Sequence, residues 1–332
     1  MEVLESFDRR RIDALREQRH FFWLELVDPD HAELEQLGEA FGFHHVALED
    51  SEEFGQRPKL DDYGPYALLV FYGLDEITPT EVHAYISGEA IVTVRRGHVP
   101  GLKEAKRRLR ERTPRSEEEV VYRVLDALTD SWLDGLTQTD ARVEELEQSV
   151  VESPDTSMRQ EIVDLRRSLI ALRRVVGPQR DAMVSAISSI QGLDGFDADH
   201  TRNLLRDVAD HLARAADELD SQRELLFGAL QLQDTGVANR TNAASTQLAL
   251  VGSIFLPLTF VTGFFGQNFG WLTDHIAPLW AFLVYGIGGM VASLAALAWF
   301  IRRQGITREA AGSLPPHGSR SEPGHAGQHG TR

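Results

Sequence analysis

Two uncharged stretches near the C-terminus constrain this chain more than any other feature. No residue between Arg240 and Asp274 is charged, and none is between His275 and Arg302. Residues 248–265 (LALVGSIFLPLTFVTGFF) are nearly all apolar, which as a helix is about 27 Å. Residues 276–301 (IAPLWAFLVYGIGGMVASLAALAWFI) are long enough for a tilted span. A soluble core accommodates one such run, but hardly two joined by a short link, so the pattern predicts two transmembrane helices. Arg240 precedes the first run, while Arg302, Arg303 and Arg308 follow the second. The link, 266–275, has no Lys or Arg. Both termini are therefore expected to be cytoplasmic, in a multi-pass protein of the cell (inner or plasma) membrane.

Charge is distributed as unevenly as hydropathy. The chain carries 51 acids against 34 bases, a net −17, and residues 1–240 alone carry −19. That balance argues against nucleic acid as a partner and suits cationic ligands. With no cysteine, disulfides, zinc–thiolate sites, iron–sulfur clusters and thiol catalysis are excluded, leaving oxygen and imidazole as ligands. The opening twenty residues have no apolar core and do not read as a signal peptide.

The expected architecture is an α+β cytoplasmic domain, then a long stalk helix continuing into a two-helix transmembrane region. Residues 20–27, 67–74, 81–87 and 90–95 read as strands, the last three as a meander with turns at 75–79 and 87–89. Helices are expected at 31–41, opened by Asp28-Pro29-Asp30, and within 47–59. Ser116-Glu117-Glu118-Glu119 reads as a capping box ahead of a long helix that closes before Ser153-Pro154-Asp155. Ile162, Leu165, Leu169, Leu172 and Val176 carry the helix returning alongside it. After a loop at 192–199, apolar spacing runs without proline from Leu204 to Leu230, and predicts one helix of about 60 residues entering the first span. The domain boundaries drawn are 1–112 (α/β), 113–198 (hairpin), 199–247 (stalk), 248–266 (first span), 267–275 (outer loop), 276–301 (second span) and 302–332. The last segment, rich in Gly, Pro, Ser and His, is expected to be a disordered cytoplasmic tail.

No phosphate-binding glycine loop is present, so neither an ATP-driven pump nor a nucleotide enzyme is expected, and no organic cofactor. Gly286, Gly288 and Gly289 read as close helix packing, and His44-His45 as an ordinary exposed pair. Gly266-Gln267-Asn268 closes the first span. Amides after so long an apolar run are costly unless they face water. Their oxygens can accept from the hydration shell of magnesium, which sheds water reluctantly; the plainer alternative is a polar helix cap.

Several blocks in order along residues 20–303 resemble the CorA family of divalent-cation channels. They are Thr241-Asn242, Ile254–Phe260 and Gly266–Phe269 at the span; His44–Asp50 with Gln56–Lys59; Leu165–Arg167 with Leu172–Gln179; and Arg206–His211. The resemblance implies a homopentameric funnel and passive Mg2+ uptake through a pore lined by the first span. Its ring positions match Asn242, Leu248, Leu256, Thr259, Gly266, Gln267 and Asn268. It further implies that Asp50 and Asp207 hold regulatory Mg2+ between neighbouring subunits, although on spacing alone Asp207 and Asp210 read as a solvated helix face.

The chain departs from the family pattern where the signature Met is Gln267, where the outer loop has the single carboxylate Asp274, and at Gln231 and Ser245. These departures bear on ion choice. A zinc or cobalt transporter of the same fold, mildly favoured by His317, His325 and His329, is one alternative. A non-conducting, membrane-anchored acidic sensor or scaffold is another.

Overall fold

The computed structural model describes residues 1–152, 156–267, 270–276 and 278–303. The chain divides into two units, Met1–Val237 and Ala238–Arg332.

The first unit is built on one mixed sheet. Strands β1 (Glu2–Leu4), β2 (Phe22–Val27), β3 (Lys59–Asp62), β4 (Tyr66–Asp75), β5 (Thr78–Ser87) and β6 (Ala90–Arg95) lie in the order β1-β2-β6-β5-β4-β3. β2 runs parallel to β1 and β6, and the other pairs are antiparallel, so β4–β6 form the expected meander. β4 reads as a continuous apolar run because both of its faces are covered. Ala67, Leu69 and Phe71 enter one core, whereas Tyr66 and Leu68 enter the other. On the second face lie α1 (Arg9–Glu17), α2 (His31–Phe41) and α3 (His45–Glu53), contributing Ile12, Leu37 and Ala47. Over the first face lie α4 (Pro100–Glu111), α5 (Glu117–Glu152), α6 (Thr156–Ile190) and the beginning of α7 (Ala198–Phe265).

Specific contacts fix how these layers meet. Trp132 of α5 is fully buried and donates from Nε1 to the Tyr72 carbonyl at 2.8 Å. The Gln179 amide of α6 clasps the same residue, accepting from Tyr72 N at 2.8 Å and donating to its carbonyl at 3.0 Å. Gly101 lets α4 cross α5 closely, since a Cβ there would lie 2.9 Å from the Ala127 carbonyl. Arg142 of α5 bridges to Glu161, so α6 folds back along α5.

Some expectations change. α3 stops at Glu53, and Lys59 belongs to β3 instead of the same helix, because Phe54 and Gly55 take positive φ and break the chain direction. Pro79 lies inside β5; the turn needs only Glu76 and Ile77, with Asp75 paired to Thr78. The Ser116 capping box does not form: Glu119 accepts from Arg115 N at 2.7 Å, while the Ser116 hydroxyl is buried without a partner. β1 had no counterpart in the sequence reading.

In the second unit the later part of α7 carries the first apolar run, and Pro257 lies within it. α8 (Gly270–Ile276) occupies much of the link expected to be a loop. The second run comprises α9 (Leu279–Ala281), a π-helical segment (Phe282–Ile287) and α10 (Gly288–Arg303). Both runs are long and apolar enough to cross a membrane, and their apolar windows are 0% and 11% buried within the chain. Among the described residues, a Cβ on Gly286 would meet only the Phe282 ring, one on Gly288 only the Leu283 carbonyl at 3.5 Å, and one on Gly289 nothing within 4 Å. Asn268, the turn at 153–155 and the tail from 304 lie outside the described residues.

Candidate ion pathway and acidic cluster

The apolar part of α7 keeps its polar atoms occupied by bonding them to its own backbone. The hydroxyls of Thr246, Ser253, Thr259 and Thr262 donate to the carbonyls four residues earlier, at 2.8, 2.7, 2.8 and 2.9 Å. A helix satisfied in this way can face lipid or other helices without stranded donors. At about 100° per residue, Asn242, Ser245, Leu248, Leu256 and Thr259 fall within an arc of about 120° on the unbroken helix. Leu248 and Leu256 are each 74% exposed, so neither finds a core in its own chain. The helix closes with Gly266 N donating to the Thr262 carbonyl at 2.9 Å and Gln267 N to Phe264 at 3.3 Å. Gln267 and Gly266 are exposed there. Beyond them, in α8, the Trp271 and His275 rings stack at 4.5 Å.

The first unit holds a second constellation, one that reading the sequence missed. Asp126 and Asp130 lie one turn apart on α5, and Asp207 and His211 one turn apart on α7. One ligand atom each from Asp126, Asp130 and His211 lies within 4.8 Å of the others. Arg108 of α4 takes the far oxygens, with Nη1 3.1 Å from Asp126 Oδ2 and Nη2 2.8 Å from Asp130 Oδ2. The Oδ1 atoms are left toward His211, at 3.5 Å from Asp126 and 4.0 Å from Asp130. Tyr122 donates to Asp207 Oδ2 at 2.9 Å, and His211 Nε2 lies 3.7 Å from Asp207 Oδ1.

Electrostatics mark this as a strained place for anions. Burial, and then the neighbouring Asp130 charge, push the Asp126 carboxyl up to about 6, against the pull of Arg108 and His211. Burial and the Asp126 charge push the Tyr122 hydroxyl up as well. Asp126 Oδ1 and His211 Nδ1 are buried without a hydrogen-bond partner among the described residues. Two carboxylate oxygens and an imidazole nitrogen that converge in this way fit a divalent cation, which would stabilise the charged carboxylates that burial disfavours.

The two acids singled out by resemblance have separate partners. Asp50 on α3 accepts from Lys59 Nζ at 2.7 Å, and Lys59 also reaches Asp61 at 2.7 Å. Asp207 joins the Asp126–His211 group instead. The available signal was the pair of i,i+4 spacings, Asp126/Asp130 and Asp207/His211; nothing in one dimension says that they meet.

Residues 18–303 match the family of CorA-like Mg2+ transporter proteins. The chain belongs to this family. Among CorA relatives, the cobalt/magnesium transport protein CorA of Thermotoga maritima is 26% identical over 270 residues, 78% of this chain and 76% of that one. The zinc transport protein ZntB of Pectobacterium atrosepticum is 28% identical over 232 residues, 67% of this chain and 66% of that one. The fold is that of the CorA magnesium transporter from Methanocaldococcus jannaschii, with a TM-score of 0.73 at 20% identity over 85% of this chain and 90% of that one. As a CorA-family member the chain is a divalent-cation transporter of the membrane, and its two apolar helices are the spans such a protein needs.

Proposed function

We propose that the chain assembles as a homopentameric channel for passive uptake of Mg2+ across the cell (inner or plasma) membrane, with both termini cytoplasmic. The stripe of Asn242, Leu248, Leu256 and Thr259 on one arc of a helix whose hydroxyls bond its own backbone carries this reading. Two apolar helices cannot enclose a pore, so copies must share one, each presenting that arc to the axis. Gly266, Gln267 and Asn268 form the outer mouth, where amide oxygens meet a hydrated ion, and Leu248 and Leu256 form the constriction. Residues 1–112, 113–198 and 199–247 serve as the cytoplasmic α/β domain, hairpin and stalk. Asp50 and Asp207 hold regulatory Mg2+ between subunits, with the Asp126, Asp130 and His211 group adjoining Asp207. High internal Mg2+ there closes the channel.

A second reading, zinc or cobalt as cargo, is favoured by the ZntB relative and by an imidazole in the acidic group. Flux into proteoliposomes with Mg2+, Co2+ and Zn2+ in parallel tests both. Mg2+ entry supports the first reading, and Zn2+ or Co2+ entry without Mg2+ the second. No entry of any of the three, or a monomeric or dimeric mass in detergent, overturns the channel.

A further inference from the structure

The sheet face beneath α3 is apolar, with Phe22, Leu24, Leu68, Val92 and Val94, except along β5. There Glu81, His83 and Tyr85 alternate onto that face and make a polar row. The row is wired to α3 by four contacts in series. Glu81 Oε1 lies 2.8 Å from His83 Nε2, and His83 Nδ1 lies 2.8 Å from Ser51 Oγ. Ser51 Oγ lies 2.7 Å from the Tyr85 hydroxyl, which in turn reaches the Ala47 carbonyl at 2.5 Å. Ser51, His83 and Tyr85 are buried, so water does not complete this chain from outside.

Counting protons along the series decides the state of the imidazole. The Ala47 carbonyl at one end only accepts. Glu81 at the other end also only accepts, because it is ionised. Burial pushes its carboxyl up, but bonds from His83, Gln56 N and Gly55 N outweigh that and hold it below its ordinary value. Burial pushes the Tyr85 hydroxyl up, so it keeps its proton. The four contacts therefore need four protons from Ser51, Tyr85 and His83. A neutral imidazole leaves one contact as two facing lone pairs; an imidazolium fills all of them. Among the described residues, the groups that face this series are Glu81 and Tyr85 on β5, Tyr66 and Tyr72 on β4, Tyr63 before β4, Asp50 on α3, and Arg96 beyond Phe54.

A strained residue closes the other side of the ring. Phe54 caps α3 with φ 56° and ψ 177°, a region that side chains avoid. Its ring stacks on His83 at 4.7 Å and under the Arg96 guanidinium at 4.6 Å. α3 is thus tied to Tyr85 at Ala47 and to His83 at Ser51, with Phe54 against His83 and Gly55 N on Glu81, and Asp50 lies between Ala47 and Ser51.

We propose that His83 carries protons on both ring nitrogens and that the series Glu81–His83–Ser51–Tyr85 clamps α3 to the sheet, making His83 a positioning residue for Asp50. The protonation stands on the contacts together with an ionised Glu81, which both backbone N–H bonds favour, whereas the consequence for Asp50 rests on its assignment as a regulatory ligand. The test uses full-length protein in nanodiscs with 15N-labelled histidine rings. The His83 signals are identified by their loss in His83→Gln and, independently, by their shift in Tyr85→Phe. At pH 7 both His83 nitrogens should resonate as protonated, and a neutral tautomer overturns the inference. In proteoliposomes, Tyr85→Phe and His83→Gln should each raise the internal Mg2+ concentration for half-inhibition, by at most roughly the tenfold that loss of a group bonded to a ligand gives, because both reach Asp50 only through Ser51 and α3. Unchanged half-inhibition in both variants, where Asp50→Ala does abolish it, overturns the positioning role. If Asp50→Ala leaves inhibition intact, the assignment of Asp50 fails instead, and with it the positioning claim, while the NMR result still decides the protonation.

Discussion

Asp126→Asn removes the charge that burial in the acidic cluster resists, and the resulting change in stability can be worked out. The carboxyl rises from 3.8 to about 6, first because it is buried and then because Asp130 is beside it. At about 1.4 kcal/mol per unit this is a penalty of about 3 kcal/mol on the charged form. The side chain is 13% exposed, so solvent screening discounts it little. The pull of Arg108 on the charged form is already contained in that figure, because the carboxyl reaches about 6 against it, so the full gain is about 3 kcal/mol. Since the folded carboxyl binds its proton more tightly than the unfolded one, its contribution is fully present below pH 3.8 and is lost as pH rises through about 6. Above pH 6 in chelator, Asp126→Asn should therefore unfold about 6 °C higher than the parent, at about 2 °C per kcal/mol. Below pH 4 the advantage should vanish. Millimolar Mg2+ should raise the parent more than the variant, because the ion pairs with the charge that was removed. Scanning calorimetry of the detergent-solubilised protein across pH 4–8, with and without Mg2+, measures all of this. A variant less stable than the parent at pH 7.5 in chelator would refute the reasoning.

Other outcomes are as specific. Asn268→Ala should abolish or strongly reduce flux with assembly intact, while Gln267→Met should conduct; normal transport by Asn268→Ala would return these amides to the role of a helix cap. Asp50→Ala combined with Asp207→Ala should give currents that no longer fall as internal Mg2+ enters the millimolar range, and unchanged inhibition would place the sensor elsewhere. Gln179→Ala strands the Tyr72 N–H in a part-buried site and should cost about 1–3 kcal/mol in denaturant unfolding; a loss below about 1 kcal/mol would mean that the strand and α6 are held by other contacts.

What the sequence determined by itself was whatever depends on neighbours along the chain. The two spans show because lipid demands long uninterrupted apolar runs, and α7 shows because its apolar spacing persists with no proline before Pro257. β4 to β6 show because β-branched and aromatic residues cluster between turn residues. Local signals also misled: a three-residue β1 is too short to display a period, and the Ser116 box was pre-empted when Glu119 bonded Arg115. Tertiary structure alone decided which distant groups meet. β6 inserts between β2 and β5 through a parallel pairing whose partners, such as Phe22 and Ala90, are far apart in sequence. The acidic cluster joins residues of α5 and α7 such as Tyr122 and Asp207, 85 positions apart, and the His83 series joins Ser51 to a strand 32 positions on. Both are polar groups in a packed interior. Their protonation and chemistry follow from burial and from partners, and those exist only once the helices have closed on the sheet.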